Sequence, residues 1–225
     1  MSDHLLAEGP TDGVARLTLR NPSKKNALSI ELRDALADAL DAFAADEAVK
    51  VVTVTGTGDT FSAGFDLREF ERAFGDEAFA ARLWASSDRY HRTCIEFPLP
   101  LVAAVNGPAV AGGFDLAVMC DLRVASDTAR FSHPELAFGD VVYGPLHDLV
   151  GGAVARDLCL TGRVIDATEA LRVGVVNRVV PAAELPAAAA EVAAAIARAP
   201  RDVLLRTKAK VLARARLVVG GTLEL

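Results

Sequence analysis

The order of apolar segments predicts an α/β fold that ends in helices, and three observations carry that prediction. Val14-Ala-Arg-Leu-Thr-Leu19 alternates with period two, a helical pattern follows from Ser29 to Ala45, and Val49 to Thr55 is rich in β-branched residues. Strand, helix, strand in that order makes a crossover unit of a partly parallel sheet. Leu101 to Val105 is an unbroken apolar run bounded by Pro100 and Gly107, which reads as a strand buried on both faces. After Val180 the strand patterns stop and two helical patterns remain, so residues 1–180 are expected to form the core and residues 181–225 a helical C-terminal portion.

Taken in order, the first strand leads into the loop Arg20 to Asn26, with an Asn21-Pro22 turn signal and the pair Lys24-Lys25. Such a pair is either a solvated loop tip or a point charge for a phosphate. Ser29 is expected to cap the helix that follows, with Leu32, Leu36, Ala39, Leu40 and Phe43 on its buried face. Gly56-Thr-Gly-Asp-Thr-Phe61 superficially resembles a dinucleotide loop, but Phe61 stands in place of the third glycine and no helix opens at once, so nicotinamide binding is set aside. Phe61-Ser-Ala-Gly-Phe-Asp-Leu67 bends at Gly64, and such a bend can point consecutive N–H groups into a cavity. Two helices then read from Leu67 to Phe74 and from Asp76 to Phe97.

The centre of the chain is Val105-Asn-Gly-Pro-Ala-Val-Ala-Gly-Gly-Phe-Asp-Leu-Ala-Val-Met-Cys-Asp121. Gly112-Gly113 precedes a helical pattern from Phe114 to Met119. Glycine lets backbone approach closely, and a helix start offers unpaired N–H groups to an oxyanion. Asp115 is then either a dipole-matching carboxylate or part of a site. Further on, Leu122 to Ser126 and Ala129 to Ser132 are extended, and Pro134 can start a turn with Glu135 at its N-terminus. Phe138 to Pro145 is a loop and His147 to Thr161 a helix closed by Gly162. Asp166-Ala-Thr-Glu169 is a capping-box pattern opening Ala167 to Arg172, and Val175 to Val180 is the last strand. The closing helices read from Ala183 to Ala199 and from Arg201 to Arg216. The second is basic, yet Val203, Leu204, Val211 and Leu212 need cover.

Composition excludes several classes. The 225 residues carry a formal net charge of -6, which argues against binding dominated by nucleic-acid phosphates. No apolar stretch reaches the ~18 residues of a membrane span, and Met1 to Gly13 lacks a signal-peptide core. Cys94, Cys120 and Cys159 lack Cys-x-x-Cys spacing and are expected to be reduced core thiols of a cytoplasmic protein. The four histidines, His4, His91, His133 and His147, show no metal-ligand spacing, so no metal is expected.

The stretches Phe61 to Leu67, Val105 to Asp121 and Phe131-Ser-His-Pro-Glu-Leu136 onward to Gly139 together resemble the enoyl-CoA hydratase/isomerase, or crotonase, superfamily. Asn21-Pro22 with Asn26-Ala-Leu-Ser29, Leu160-Thr-Gly-Arg163, and Glu169-Ala-Leu with Gly174-Val-Val-Asn177 extend the resemblance from about Val14 to Lys210. It implies a spiral of ββα turns with C-terminal helices, a homotrimer or hexamer, and an acyl-CoA substrate whose coenzyme A is part of the substrate, with no separate cofactor. It implies that the Phe65 and Gly112 N–H groups form an oxyanion hole and that Asp115 and Glu135 stand where hydratases keep two glutamates. It places Ala27, Leu28, Ala63, Asp66 and Leu67 at the adenine and pantetheine, with Lys24 or Lys25 at the phosphates and His133 as a structural residue.

Two departures stand out. Asp140-Val-Val-Tyr-Gly-Pro-Leu146 replaces the family's glycine-rich loop and sets Tyr143 where a small residue faces the substrate, and the chain ends at Leu225, before helices common in the family. The resemblance therefore implies a hydratase of 2-enoyl-CoA, with a double-bond isomerase using Asp115 and Glu135, or a non-catalytic acyl-CoA binder, as alternatives. An α/β-hydrolase is disfavoured because no Gly-x-Ser-x-Gly occurs.

Overall fold

The structure is a computed structural model that describes residues 3–137, 139–215 and 220–225. Its first turn is β1 (Leu5–Thr11), β2 (Val14–Leu19) and α1 (Ile30–Ala45). Ser29 caps α1 as expected, its hydroxyl accepting the Leu32 N–H. Then come β3 (Val51–Gly56), α2 (Leu67–Ala73) and α3 (Glu77–Glu96), and next β4 (Leu101–Val105), β5 (Ala109–Val110) and α4 (Gly112–Met119). The chain continues through β6 (Leu122–Ser126), β7 (Arg130–Ser132), α5 (Gly144–Thr161), β8 (Ile165–Asp166), α6 (Ala167–Val173) and β9 (Arg178–Val180). It closes with α7 (Leu185–Ala197) and α8 (Arg201–Ala215).

Among the described residues, one sheet has the order β1-β2-β3-β4-β6-β9, antiparallel only between β1 and β2. A second wall is narrower: Leu28 bridges Phe65, Ser62 bridges Ala109, Ala109 pairs with Phe131, and Phe131 pairs with Ile165. Each turn of chain thus adds a strand to the first wall, a short extended piece to the second, and then a helix. This is the spiral of ββα turns that the sequence implies. Apolar side chains of both walls and of α1, α3, α4 and α5 share one core, and α7 lays Ala188, Ala189, Ala193 and Ala197 over the sheet's other face.

Several boundaries differ from expectation, each for a local reason. β1 was missed because Gly9-Pro10 interrupts any alternation, and proline is tolerated there only because the strand is an edge. The last strand shrinks to Arg178–Val180 because Val176 N–H turns back to the Ala170 carbonyl. α5 starts early, with Pro145 in its first turn, and breaks at Gly151, whose φ is 72°. At α6 the capping box is half made: Asp166 accepts the Glu169 N–H at 2.8 Å, but the Glu169 carboxylate goes to Arg163 and Arg172. Phe138, expected in a loop, and Arg216, expected at the end of α8, lie outside the described residues. Lys208, part of the basic last helix, is buried against Asp121 with Nζ to Oδ1 at 2.6 Å.

Candidate active site

The site begins where the second wall meets α4. Ser62–Phe65 lies between the segment Lys25–Leu28 on one side and Ala109–Val110 on the other. Ala63 N–H donates to Lys25 O at 2.9 Å, Leu28 N–H to Gly64 O at 2.8 Å, and Val110 N–H to Ser62 O at 3.0 Å. A parallel bridge engages both polar groups of one partner only. Here that partner is Leu28, so the Phe65 N–H points away from it. Gly64 has φ 86°, and a Cβ there would stand 2.9 Å from the Gly112 nitrogen. The Gly112 N–H belongs to the first turn of α4, where no carbonyl lies one turn back to receive it. The two expected oxyanion donors therefore come from adjacent strips of backbone.

Two features hold those strips in place. Ala111, at the N-cap of α4, has φ 51° and ψ -130°, a conformation that costs a side chain of order 1–3 kcal/mol. Its N–H is anchored on Ser132 O at 2.9 Å. The Phe65 ring is packed by Phe70, Tyr90 and His91 at centroid distances of 6.1, 6.3 and 5.9 Å, and the Arg33 guanidinium lies 4.3 Å over its centroid. Arg33 is fully buried, with Nη1 on Leu28 O at 2.7 Å. His91 is driven down to about 4 by burial and is neutral at pH 7. Sequence periodicity singled out neither Arg33 nor His91.

The carboxylates arrive from separate elements. Asp115 is in the first turn of α4, and Glu135 lies on the short 3₁₀ turn Pro134–Ala137 that follows β7. Both meet His133: its Nδ1 is 2.8 Å from Glu135 Oε1 and 3.8 Å from Asp115 Oδ1. Asp115 Oδ1, Glu135 Oε2 and His133 Nε2 are buried without a hydrogen-bond partner among the described residues, and buried groups left so are where a site's chemistry is to be sought. Burial pushes Asp115 up to about 7, with His133 opposing and the Glu135 charge adding. Burial alone would depress His133, but the Glu135 hydrogen bond and the two carboxylate charges raise it. Two carboxyl groups and an imidazole within reach of one another give a geometry in which protons can be passed between them. His133, taken from sequence as structural, is in fact inside this cluster, and the one sequence signal for it was its place two residues before Glu135.

The remaining expected contacts divide. Lys24 Nζ pairs with Asp66 Oδ2 at 3.0 Å, so that charge already has a partner, while Lys25 stands exposed beside it. Ala27, Ala63 and Asp66 are half-buried on the two neighbouring segments, and Leu67 is exposed at the start of α2. The Leu28 side chain is fully buried, its N–H donates to Gly64 O and its carbonyl accepts from Arg33. Tyr143 packs on His147 at 5.3 Å between centroids, and its N–H donates to Leu225 O at 3.0 Å. Among the described residues, no group of three or more His, Cys, Asp or Glu is placed to hold a metal ion, and no helix is long and apolar enough to cross a membrane.

Comparison with known proteins gives consistent results. The family described as enoyl-CoA hydratase/isomerase matches residues 9–222. A Mycobacterium leprae protein named "Probable enoyl-CoA hydratase echA8" is 36% identical over 93% of this chain and 81% of its own length. A protein of an Arthrobacter species, named 4-chlorobenzoyl coenzyme A dehalogenase-2, is 36% identical over 88% of this chain and 74% of its own. A crystal structure of an enoyl-CoA hydratase/isomerase from Xanthobacter autotrophicus Py2 superposes with TM-score 0.88 at 34% identity, covering 95% of this chain and 80% of that one.

Proposed function

The chain belongs to the enoyl-CoA hydratase/isomerase family, and from that premise we propose that it hydrates a 2-enoyl-CoA. Relatives of equal identity carry the names of a hydratase and a dehalogenase, so the reaction has to be argued from the side chains. The observation that carries the reading is the convergence of Asp115 and Glu135, from two elements, on one buried imidazole beside the Gly112 turn.

In this reading the thioester carbonyl oxygen lies between the Phe65 and Gly112 N–H groups. Charge that develops there as the enolate forms meets two fixed donors. Glu135 takes a proton from water, whose oxygen adds to C3. The double-bond electrons move through C2 to the thioester oxygen and return as C2 takes a proton from Asp115. The sum is one water added across one double bond, with the protons redistributed between the two carboxyls afterwards. Lys25 is the cation best placed to meet a phosphate, since Lys24 is engaged by Asp66.

Asp115 supports a second reading. An aspartate is one C–C bond, ~1.5 Å, shorter than a glutamate, and a misplacement of about 1 Å can cost ~10²-fold. The same pair can instead carry a proton between two carbons and shift the double bond without water. Loss of the enoyl chromophore across short, long, branched and aromatic 2-enoyl-CoAs tests the first reading. Tight binding of every ester with no turnover would reject both. Exposed Val203 and Val211 on α8 favour assembly into a trimer or hexamer, and a light-scattering mass of a single chain at micromolar concentration would refute it.

A further inference from the structure

We propose that His133 is a positioning residue that makes the two carboxylates unequal, holding Glu135 as the base while leaving Asp115 to carry the mobile proton. This rests on the acid–base reading above and extends it to a residue that neither the sequence nor the comparisons assign.

The geometry is asymmetric. Nδ1 has one hydrogen to give, and it stands 2.8 Å from Glu135 Oε1 but 3.8 Å from Asp115 Oδ1. With Glu135 acting as the base its carboxylate only accepts, so the proposal places the proton of this bond on Nδ1. Glu135 is thereby held by one oxygen, and Oε2, buried and without a partner among the described residues, is the oxygen left for water or substrate. Asp115 Oδ1 receives no such bond. The imidazole cannot swing to it, because the ring is fully buried and stacked on Phe114 at 4.7 Å with planes 29° apart. The groups that bear on this cluster are few. Asp115 faces it from α4 and Glu135 from its own turn. Cys159 on α5 couples to both carboxyls, and Tyr90 on α3 couples to Asp115. None of them supplies Glu135 with a second donor. A histidine that serves catalysis by orienting a carboxylate acts on turnover and leaves ester binding alone.

Two substitutions and one spectroscopic measurement test this. Asn puts its amide nitrogen where Nδ1 stands, whereas Leu fills the space with no donor. His133→Leu is expected to lower kcat by ~10²-fold with KM and the affinity for a saturated acyl-CoA unchanged. His133→Asn is expected to recover most of the lost kcat. A His133→Leu enzyme with wild-type kcat, or a folded His133→Asn enzyme as slow as His133→Leu, overturns the proposal. Nitrogen-15 NMR of the wild-type protein decides the hydrogen bond without any turnover. A protonated Nδ1 whose resonance shifts in Glu135→Gln supports the proposal, and an unprotonated Nδ1 overturns it. If wild type hydrates and isomerises no enoyl-CoA, the functional reading fails by itself, and the NMR result still stands for or against the His133–Glu135 pair.

Discussion

The two halves of the site are built in different ways. On the proposed oxyanion side the candidate groups are backbone N–H groups, set by Gly64, the strained Ala111 and the closely packed Phe65 ring. On the proton-transfer side they are side chains, brought from α4 and from the turn after β7 onto His133. The first half stores its cost as backbone strain, the second as a buried carboxyl whose ionisation is suppressed. Backbone geometry of this kind is rigid and indifferent to pH, while the buried Asp115 carboxyl is a drain on stability wherever it must ionise.

Substitutions should separate the halves. The largest effect is expected at Glu135→Gln, which removes the base: turnover should fall by ~10³–10⁴-fold while saturated acyl-CoA still binds, as read by steady-state rates and calorimetry. Next is Gly112→Pro, which deletes one oxyanion donor, for a loss of ~10²–10³ at every pH tested. Gly112→Ala is the control. It keeps the N–H, but its Cβ would lie 2.7 Å from Phe65 Cδ1, so a loss nearly as large would show that the ring's position, and not only the donor, sets the rate.

A third test reads stability in place of rate. Asp115 is held at about 7 by burial, whereas an unfolded chain releases that proton near pH 4. Below about pH 4 both states hold the proton and the residue costs nothing. As pH rises to about 7, only the unfolded chain has let it go, and the contribution of Asp115 to stability falls by on the order of a few kcal/mol. Asp115→Asn should therefore be more stable than wild type at pH 8 by denaturant midpoint, with the gain fading toward pH 4. A constant difference across that window would deny the buried proton. The smallest effect is expected at Ala111→Gly, where relief of the left-handed backbone should add about 1 kcal/mol to unfolding stability with little change in kcat. A destabilised Ala111→Gly variant would show that the strain is not there.

The same contrast explains what could be read from the chain. Alternation at Val14 to Leu19, the buried run Leu101 to Val105 and the cap at Ser29 are local signals, and each of them marks an element of the fold. The oxyanion half is legible because its devices are glycines at fixed places. The proton-transfer half is only partly so. Asp115 is marked by its place three residues after Gly112 and Glu135 by the Pro134 before it, but that Glu135 bonds His133 depends on how a short turn after β7 sets two side chains. Arg33 is the harder case: its spacing from Ile30, Leu36 and Ala37 puts it on the buried face of α1, but its charge argues for solvent, and only the fold supplies Leu28 O and the Phe65 ring as its partners. A motif also cannot say that Lys24 pairs with Asp66 or that the Leu28 N–H is given to Gly64 O.

Central to the account is that Glu135 activates water and Asp115 delivers the proton, and one measurement addresses it most directly. The protein is given a 2-enoyl-CoA in water labelled with heavy oxygen, and the product is weighed by mass spectrometry. Hydration by this pair gives a hydroxyacyl-CoA carrying one heavy oxygen, formed by Glu135→Gln only at its ~10³–10⁴-fold lower rate. A product with its double bond moved and no heavy oxygen would contradict it.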